Sequence, residues 1–339
     1  MRRRRLIFAF PVCVSLAFTA CRQEAVDRQP ANGHASHEAK FVTVNGVRLQ
    51  YLDWGGVGDG LVFLHGLGDS PHAYDEIASA FANRFRVVAY ARRGHGRSDV
   101  RGPYDNNTLV EDLRQLLDSL SIQRAALVGW SLGGNEITEF AARYPERVLG
   151  LVYLDCFDTA DPAMARANEN FPFSFFPNAA DLADLPAFRA WQKRTWWADT
   201  PWSPAMEAHA DDLVEQAPGG SLRFVTSDSV TGQLFSGAYA YHARWRDVRA
   251  PVLAFFAQPY REAFLPPDAS EAQKERVDRW LREYQMPFFE ARIPEFRASL
   301  PHARLVILER TNHAALPFQR RDTILSEMHT FLERELRSR

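Results

Sequence analysis

The stretch ALVGWSLGG at residues 126–134 decides the predicted fold. An apolar run ends at Gly129 and a helical pattern begins directly after Ser131, which is typical of a strand that turns sharply into a helix. Glycine is needed at Gly129 and Gly133 because side chains at both positions would clash across so tight a turn. The pattern therefore predicts that the Ser131 hydroxyl projects above a sheet edge, beside the positive end of a helix dipole, as a candidate nucleophile.

Short apolar runs elsewhere in the chain predict the rest of a mostly parallel sheet. Each run is rich in β-branched or aromatic residues and is followed by a turn, as expected of strands buried on both faces. The runs lie at residues 61–64, 85–90, 125–129, 148–154, 251–256 and 304–308. Helical patterns separate them, and Asn45-Gly46 predicts a hairpin near the start of the fold. Together these elements predict an α/β fold with a doubly wound sheet and a site at the carboxyl ends of its strands.

Residues 156–245 break this alternation. The segment has no clear buried strand and is rich in proline and aromatic residues, so we predict a helical cap inserted between two parts of a core, residues 41–155 and 246–339. Its rings either line an apolar substrate pocket or form the segment's own hydrophobic core. Trp130 and Phe157 are the predicted substrate contacts because they adjoin the site residues in sequence.

His313 is the predicted general base for Ser131, because a serine hydroxyl is a poor nucleophile unless a base accepts its proton. It follows the apolar run at residues 304–308, which places it on a loop at the carboxyl edge of the sheet. The other histidines considered lie in the N-terminal segment, the insertion, the final helix or the wrong end of a strand: His34, His37, His209, His242, His329 and His302.

Two backbone N–H groups are predicted to stabilise the oxyanion that forms in the transition state. Leu132 supplies one because it directly follows the nucleophile, and Leu67 supplies the other from the turn HGLG at residues 65–68. Glycine on either side of Leu67 lets that backbone approach a substrate closely. The plain alternative for residues 65–68 is a structural turn.

Four motifs occur in the order typical of the α/β-hydrolase superfamily, and the chain resembles that family over residues 41–336. The motifs are HGLG at 65–68, RRGHGRSD at 92–99, GWSLGG at 129–134 and the late His313. The resemblance implies a serine–acid–histidine triad, a cap over the site and hydrolysis of esters or related acyl substrates. Because the fold hosts many chemistries, it does not name the substrate.

The acid of the implied triad is the point at which the sequence departs from the common arrangement. Many relatives carry it after the strand corresponding to residues 251–256, where this chain has no aspartate and offers Glu262. Haloalkane dehalogenases carry it after the preceding strand, which here ends at Asp155. We therefore predict that Asp155 orients the imidazole, with Glu262 and Asp158 as alternatives. Since haloalkane dehalogenases and epoxide hydrolases use a carboxylate nucleophile, Ser131 excludes their chemistry.

The N-terminal segment predicts export. Residues 1–20 have the layout of a secretory signal, in which early arginines precede an apolar stretch. Cys21 resembles the processing site of a bacterial lipoprotein; cleavage near Ala17 or Ala20, or an uncleaved anchor, is the alternative. Residues 22–40 are polar and predict a flexible tether. The protein is therefore expected to be periplasmic or attached to a bacterial membrane through a lipid on Cys21.

The composition narrows the function further. A net charge of −2 gives no reason to expect nucleic acid, which needs a basic face. No paired histidines or clustered cysteines predict a metal, and no motif predicts a cofactor. The predicted function is hydrolysis of a carboxylic ester, or a related acyl bond, of a small and largely apolar molecule through an acyl-enzyme. The alternatives are a carbon–carbon bond hydrolase, a cofactor-free perhydrolase and a non-catalytic lipid-anchored binding protein.

Overall fold

The computed structural model describes residues 37–173, 176–266 and 268–337. The predicted signal at residues 1–20 and the candidate lipid site Cys21 lie outside these ranges. In the part of the chain that the structure describes, no helix has both the length and the apolar character needed to cross a membrane.

A mostly parallel sheet forms the centre of the fold. The strands are β1 (Glu38–Val44), β2 (Val47–Gly55), β3 (Gly60–Leu64), β4 (Arg86–Tyr90), β5 (Ala125–Trp130), β6 (Val148–Leu154), β7 (Val214–Gln216), β8 (Leu222–Phe224), β9 (Val252–Ala257) and β10 (Arg304–Leu308). Eight of them pair in the order β1-β2-β4-β3-β5-β6-β9-β10, in which only the pairings of β2 with β1 and β4 are antiparallel. The chain order reverses on either side of β3, so the predicted doubly wound α/β fold is confirmed.

Helices lie on both faces of this sheet. The α-helices are α1 (Asp75–Ala78), α2 (Asn106–Ser119), α3 (Gly133–Arg143), α4 (Pro162–Glu169), α5 (Leu185–Thr195), α6 (Pro204–Asp212), α7 (Asp228–Tyr239), α8 (Glu271–Trp280), α9 (Met286–Ser299), α10 (Leu316–Gln319) and α11 (Arg321–Arg337). Short 3₁₀ turns occur at Pro71–Tyr74, Ser79–Phe81, Pro145–Arg147, Trp245–Asp247, Arg261–Phe264 and His313–Ala315, and a π-turn occurs at Leu281–Gln285.

Two hydrophobic clusters, one on each face, hold these helices to the sheet. Because side chains alternate along a strand, Leu64 of β3 belongs to one cluster and its neighbour Phe63 to the other. Helices α2 and α3 contribute to the first cluster, whereas α1 and α11 contribute to the second. Strands covered on both faces need apolar residues at every position, which explains the unbroken runs in the sequence.

The insertion segment, residues 156–245, contains α4 to α7 and also the antiparallel pair of β7 and β8, which the sequence pattern did not predict. Phe188, Trp191 and Met206 form part of a separate buried cluster within it. The alternative that its aromatic residues build a hydrophobic core is therefore correct for Phe188 and Trp191. Its role as a lid stays a prediction.

The first strand begins at Glu38, so the predicted tether at residues 22–40 extends three residues too far. This edge strand is largely exposed at its start, which hides it from a search for apolar runs. Pairing with β2 defines it instead, and Lys40 donates a hydrogen bond to Asp53 of that strand at 2.9 Å.

Candidate active site

The carboxyl ends of the central strands meet along one edge of the sheet. The strand register pairs Leu64 with Gly129, and Trp130 with Leu154. Residues that directly follow β3, β5 and β6 therefore lie side by side. This edge is where parallel α/β sheets place their ligands.

Ser131 occupies a strained corner between β5 and α3. Its φ of +52° lies in the left-handed region, which costs a residue other than glycine about 1 kcal/mol or more. A Cβ at Gly129 would lie 2.5 Å from the carbonyl oxygen of Gly133, and one at Gly133 would lie 2.5 Å from that of Leu64. The two glycines are thus needed for the reason that the sequence suggested.

Asp155 directly follows β6 in the same kind of corner and contacts His313. Its φ is also +52°, and its side chain is 4% exposed. One carboxylate oxygen accepts a hydrogen bond from the backbone N–H of Ala257 at 3.0 Å, and the other lies 2.7 Å from Nδ1 of His313. A proton on Nδ1 leaves Nε2 as the acceptor of a neutral imidazole, which is the form that a general base requires.

The surroundings of His313 favour its charged form. Desolvation by the surrounding protein lowers its pKa, but the hydrogen bond and charge of Asp155, together with the charge of Asp69, outweigh this effect and hold the pKa above its usual value. An imidazole with a raised pKa is a stronger base once it is neutral. It is also protonated at higher pH than an ordinary histidine.

The two alternative acids lie elsewhere. Glu262 is on the surface, where it pairs with Arg310 at 3.2 Å. Asp158 accepts a hydrogen bond from the backbone of Ala160 within a turn. Of the three carboxylates considered from the sequence, the structure brings Asp155 to His313.

Two tryptophans hold the loop that carries His313. The indole N–H of Trp130 donates to the carbonyl of His313 at 3.2 Å, and that of Trp197 donates to the carbonyl of Ala314 at 2.9 Å. The structure places Trp130 differently from the prediction, because its side chain is 1% exposed and cannot line a substrate pocket. Its hydrogen bond instead links the end of β5, directly before Ser131, to the loop that carries His313.

Phe157 packs against Phe256 and Phe288, with ring centroids 5.3 and 5.1 Å away. Its side chain remains partly exposed. Contact with a substrate stays a prediction for this residue.

The predicted oxyanion donors lie on neighbouring segments. A Cβ at Gly66 would come within 3.3 Å of the Ser131 Cβ, so the HGLG turn passes directly beside the Ser131 elbow, the corner between β5 and α3. The side chains of Leu67 and Leu132 pack in one hydrophobic cluster. Among the described residues, neither backbone N–H has a hydrogen-bond acceptor, which leaves both available to a ligand.

Residues of the RRGHGRSD motif at 92–99 hold the HGLG turn at 65–68 in place, a role that the sequence did not indicate. Arg92 forms a buried ion pair with Glu136 and donates to the carbonyls of His65 at 2.8 Å and Gly66 at 3.2 Å. With its carbonyls held by the arginine, the turn is left with its Leu67 N–H unpaired.

His95 holds the other end of the HGLG turn. Burial and the charge of Arg92 lower its pKa to about 3, so the ring is neutral. Its Nε2 accepts the N–H of Gly68 at 3.1 Å. Both ends of the turn are thus anchored by residues of the 92–99 motif.

Asp69 and His209 form a second acid–histidine pair at the site, and sequence analysis missed it. A Cβ at Gly66 would overlap the Asp69 carboxylate, whose other oxygen lies 3.4 Å from Nε2 of His209. His209 belongs to α6 of the insertion segment, and its Nδ1 is buried without a hydrogen-bond partner among the described residues. The one available signal was that Asp69 directly follows residues 65–68.

Comparison with known proteins agrees with this architecture. A model of the family described as alpha/beta hydrolase fold matches residues 60–316. A non-heme chloroperoxidase of Streptomyces lividans is 34% identical over 153 residues, which cover 44% of this chain and 52% of that protein. A bifunctional esterase/perhydrolase of Acinetobacter calcoaceticus is 34% identical over 131 residues, which cover 38% of this chain and 47% of that protein. The chain thus spans about half the length of these curated relatives.

The similarity to solved structures extends over most of the chain. E-2-(acetamidomethylene)succinate hydrolase superposes with a TM-score of 0.66 at 22% identity, covering 88% of this chain and 99% of that one. At this identity the likeness shows the fold alone. Because the family match spans the strands and the elbow that build the site, the chain belongs to the α/β-hydrolase family of enzymes.

Proposed function

We propose that this protein is a serine esterase that hydrolyses a carboxylic ester of a small, largely apolar molecule. The Ser131 hydroxyl attacks the ester carbonyl while Nε2 of His313 accepts its proton. The N–H groups of Leu67 and Leu132 stabilise the oxyanion, and the protonated His313 then donates to the leaving alcohol. A water molecule, activated by the same imidazole, releases the acid from Ser131.

The observation that carries this proposal is the 2.7 Å contact between Asp155 and His313 at the edge where Ser131 is held in a strained corner. A buried carboxylate fixes the tautomer of the imidazole and stabilises its charged form as the proton arrives. A histidine that served only packing would have no need of this partner. The unpaired N–H groups beside Ser131 support the same reaction.

Covalent labelling tests the proposal directly. We expect a fluorophosphonate probe to label the wild-type protein at Ser131, and Ser131→Ala to lose both labelling and hydrolysis of short p-nitrophenyl esters. Ser119→Ala, at the exposed end of α2, is the matched control and should retain both. Labelling that persists in Ser131→Ala would exclude this residue as the nucleophile.

Peracid formation is the second candidate, because two relatives are named as a chloroperoxidase and an esterase/perhydrolase. In this reaction hydrogen peroxide replaces water: its oxygen attacks the acyl carbon, a peracid leaves and the Ser131 hydroxyl is regenerated. Both reactions share one acyl-enzyme, so the ratio of peracid to carboxylic acid formed in the presence of peroxide separates them. Acid as the sole product would reject the perhydrolase.

We also propose that the protein is exported and anchored through a lipid on Cys21. The support is the signal-like segment at residues 1–20 followed by this cysteine. Intact-mass analysis of the full-length chain expressed in a bacterium should show loss of residues 1–20 and a lipid mass on Cys21. Cys21→Ala should lose the lipid and leave the membrane fraction, whereas an unchanged distribution would contradict the proposal.

A further inference from the structure

Three side chains with metal-binding atoms converge away from the Ser131 elbow. His37, His72 and Asp75 each offer one ligand atom, and these atoms lie within 4.8 Å of one another. Nδ1 of His72 lies 2.8 Å from one oxygen of Asp75, and Nε2 of His37 lies 3.3 Å from the other. Two imidazole nitrogens therefore face one carboxylate.

The backbone preorganises this group. His72 lies in the 3₁₀ turn Pro71–Tyr74 and Asp75 begins α1, so the two side chains share one side of a continuous helical stretch. His37 directly precedes β1, and its ring packs edge-on against Trp54 of β2 at 5.0 Å. The three positions are thus fixed by secondary structure and by packing.

Hydrogen bonding within the group leaves polar atoms unsatisfied. Nδ1 of His37 is buried without a hydrogen-bond partner among the described residues, and Oδ1 of Asp75 has only the 3.3 Å contact with Nε2 of His37, which does not have hydrogen-bond geometry. Buried polar atoms are normally paired, so such an orphan atom needs an explanation. A cation between the two imidazoles would supply the missing partner of the carboxylate oxygen.

We propose that His37, His72 and Asp75 bind one divalent transition-metal ion of the zinc class. Imidazole nitrogen and carboxylate oxygen are ordinary zinc ligands, and three protein ligands leave a fourth position for water. The sequence did not predict this site because its histidines are 35 residues apart and have no motif spacing.

The charges around the group favour the charged forms of His72 and Asp75. Burial lowers the pKa of His72, but Asp75 and Asp212 outweigh it and raise the pKa, while Arg97 acts against them. Burial raises the pKa of Asp75, but His72 and His37 outweigh it and lower the pKa.

The bound ion would act as a clamp. It would join the residue before the first strand to the turn that follows β3, three positions after Asp69. Helix α6, which carries His209, packs on that same turn. An ion that binds the folded state alone raises the melting temperature, and the rise grows with the logarithm of the ion concentration once that exceeds the Kd.

Zinc titration of the full-length protein tests the site. The protein is prepared without a histidine tag and stripped with EDTA, and calorimetry and thermal melts are recorded with ZnCl₂. We expect one equivalent to bind and the melting temperature to rise. His37→Gln and His72→Gln should each weaken binding by about 100-fold or more, since each removes a ligand. His242→Gln, an exposed histidine beside Asp158, is the matched control and should bind as the wild type does.

Two further measurements distinguish the loss of the metal site from the loss of folding. Circular dichroism of the metal-free variants checks that they fold, and Asp75→Asn keeps the side-chain shape while removing the charge that binds the ion. With Co²⁺ as the probe, the wild type should show visible d–d absorption that all three variants lose. The absence of binding in the wild type, or binding that persists in folded variants, would overturn the proposal. Neither measurement depends on esterase activity.

Discussion

The two acid–histidine pairs of this protein have opposite exposure. In the first pair the Asp155 side chain is 4% exposed and that of His313 is 47% exposed. In the second the Asp69 side chain is 22% exposed and that of His209 is 1% exposed. A buried carboxylate with an accessible imidazole is suited to proton transfer. A buried imidazole with an accessible carboxylate is suited to charge placement. The same two chemical groups thus serve different ends.

Removing the first acid should have the largest effect. Asp155→Asn retains the size of the side chain but loses the charge that orients and stabilises the imidazole, so we expect kcat/KM for an ester to fall by about 10⁴-fold. Glu262→Gln is the matched control, because that carboxylate pairs with Arg310 on the surface. Ester hydrolysis by both variants, measured at a pH well above the His313 titration, checks the prediction. An equal loss of activity in both variants would show that Asp155 is not the acid that orients His313.

Removing the second acid should mainly change the pH profile. The negative charge of Asp69 stabilises the protonated form of His313, so Asp69→Asn lowers the pKa of that histidine. Since only the neutral imidazole acts as base, the fall in kcat/KM on acidification should move to lower pH, with a loss of about 10-fold or less on the plateau. Profiles measured from about pH 5 to about pH 9 test this. A shift to higher pH would contradict the placement of Asp69.

Replacing the buried imidazole should change little. His209→Phe fills the space between Trp197 and Phe318 with a ring and removes the unpaired Nδ1, while Asp69 stays accessible to water. We expect the free energy of unfolding, measured in urea, to change by about 1 kcal/mol or less and the activity to fall a few-fold. His209→Ala should lower the free energy of unfolding by about 2 kcal/mol or more, because it leaves a cavity. Destabilisation of His209→Phe to the level of the alanine variant would mean that the contact with Asp69 is needed for folding.

A similarly small effect should come from the tryptophan that links the two pairs. Trp197 packs beside His209 and donates to the carbonyl next to His313, so Trp197→Phe loses one hydrogen bond worth about 1 kcal/mol. Trp130→Phe is its counterpart from the core side of the loop. The free energy of unfolding and the kcat of both variants should fall to a similar, modest extent. A large loss in one alone would show that a single tryptophan positions the histidine.

Sequence reasoning succeeded where a residue's position follows from its immediate neighbours. Ser131 and Asp155 each end an apolar run, and His313 follows another, so parallel pairing alone brings all three to one edge. It missed residues whose position depends on packing between segments that are distant in sequence. Asp69 and His209 are 140 positions apart, and no spacing rule joins a loop of the core to a helix of the insertion segment.

Adjacency in sequence does not by itself indicate contact with a substrate. Trp130 adjoins Ser131, yet its side chain is buried in the hydrophobic cluster on one face of the sheet and contacts the loop of His313. The three-residue strands β7 and β8 are too short to show a period. In both cases the deciding information lies in tertiary packing.

The backbone N–H of Ser131 donates to the carbonyl of Leu154, the residue before Asp155, at 3.2 Å. The backbones that carry the hydroxyl and the carboxylate are therefore held at the spacing of neighbouring strands, about 4.8 Å. Two members of the site are built into the frame of the protein, and only the loop bearing the imidazole can be adjusted. The position of the imidazole relative to these two groups then depends on that loop and on its two indole contacts.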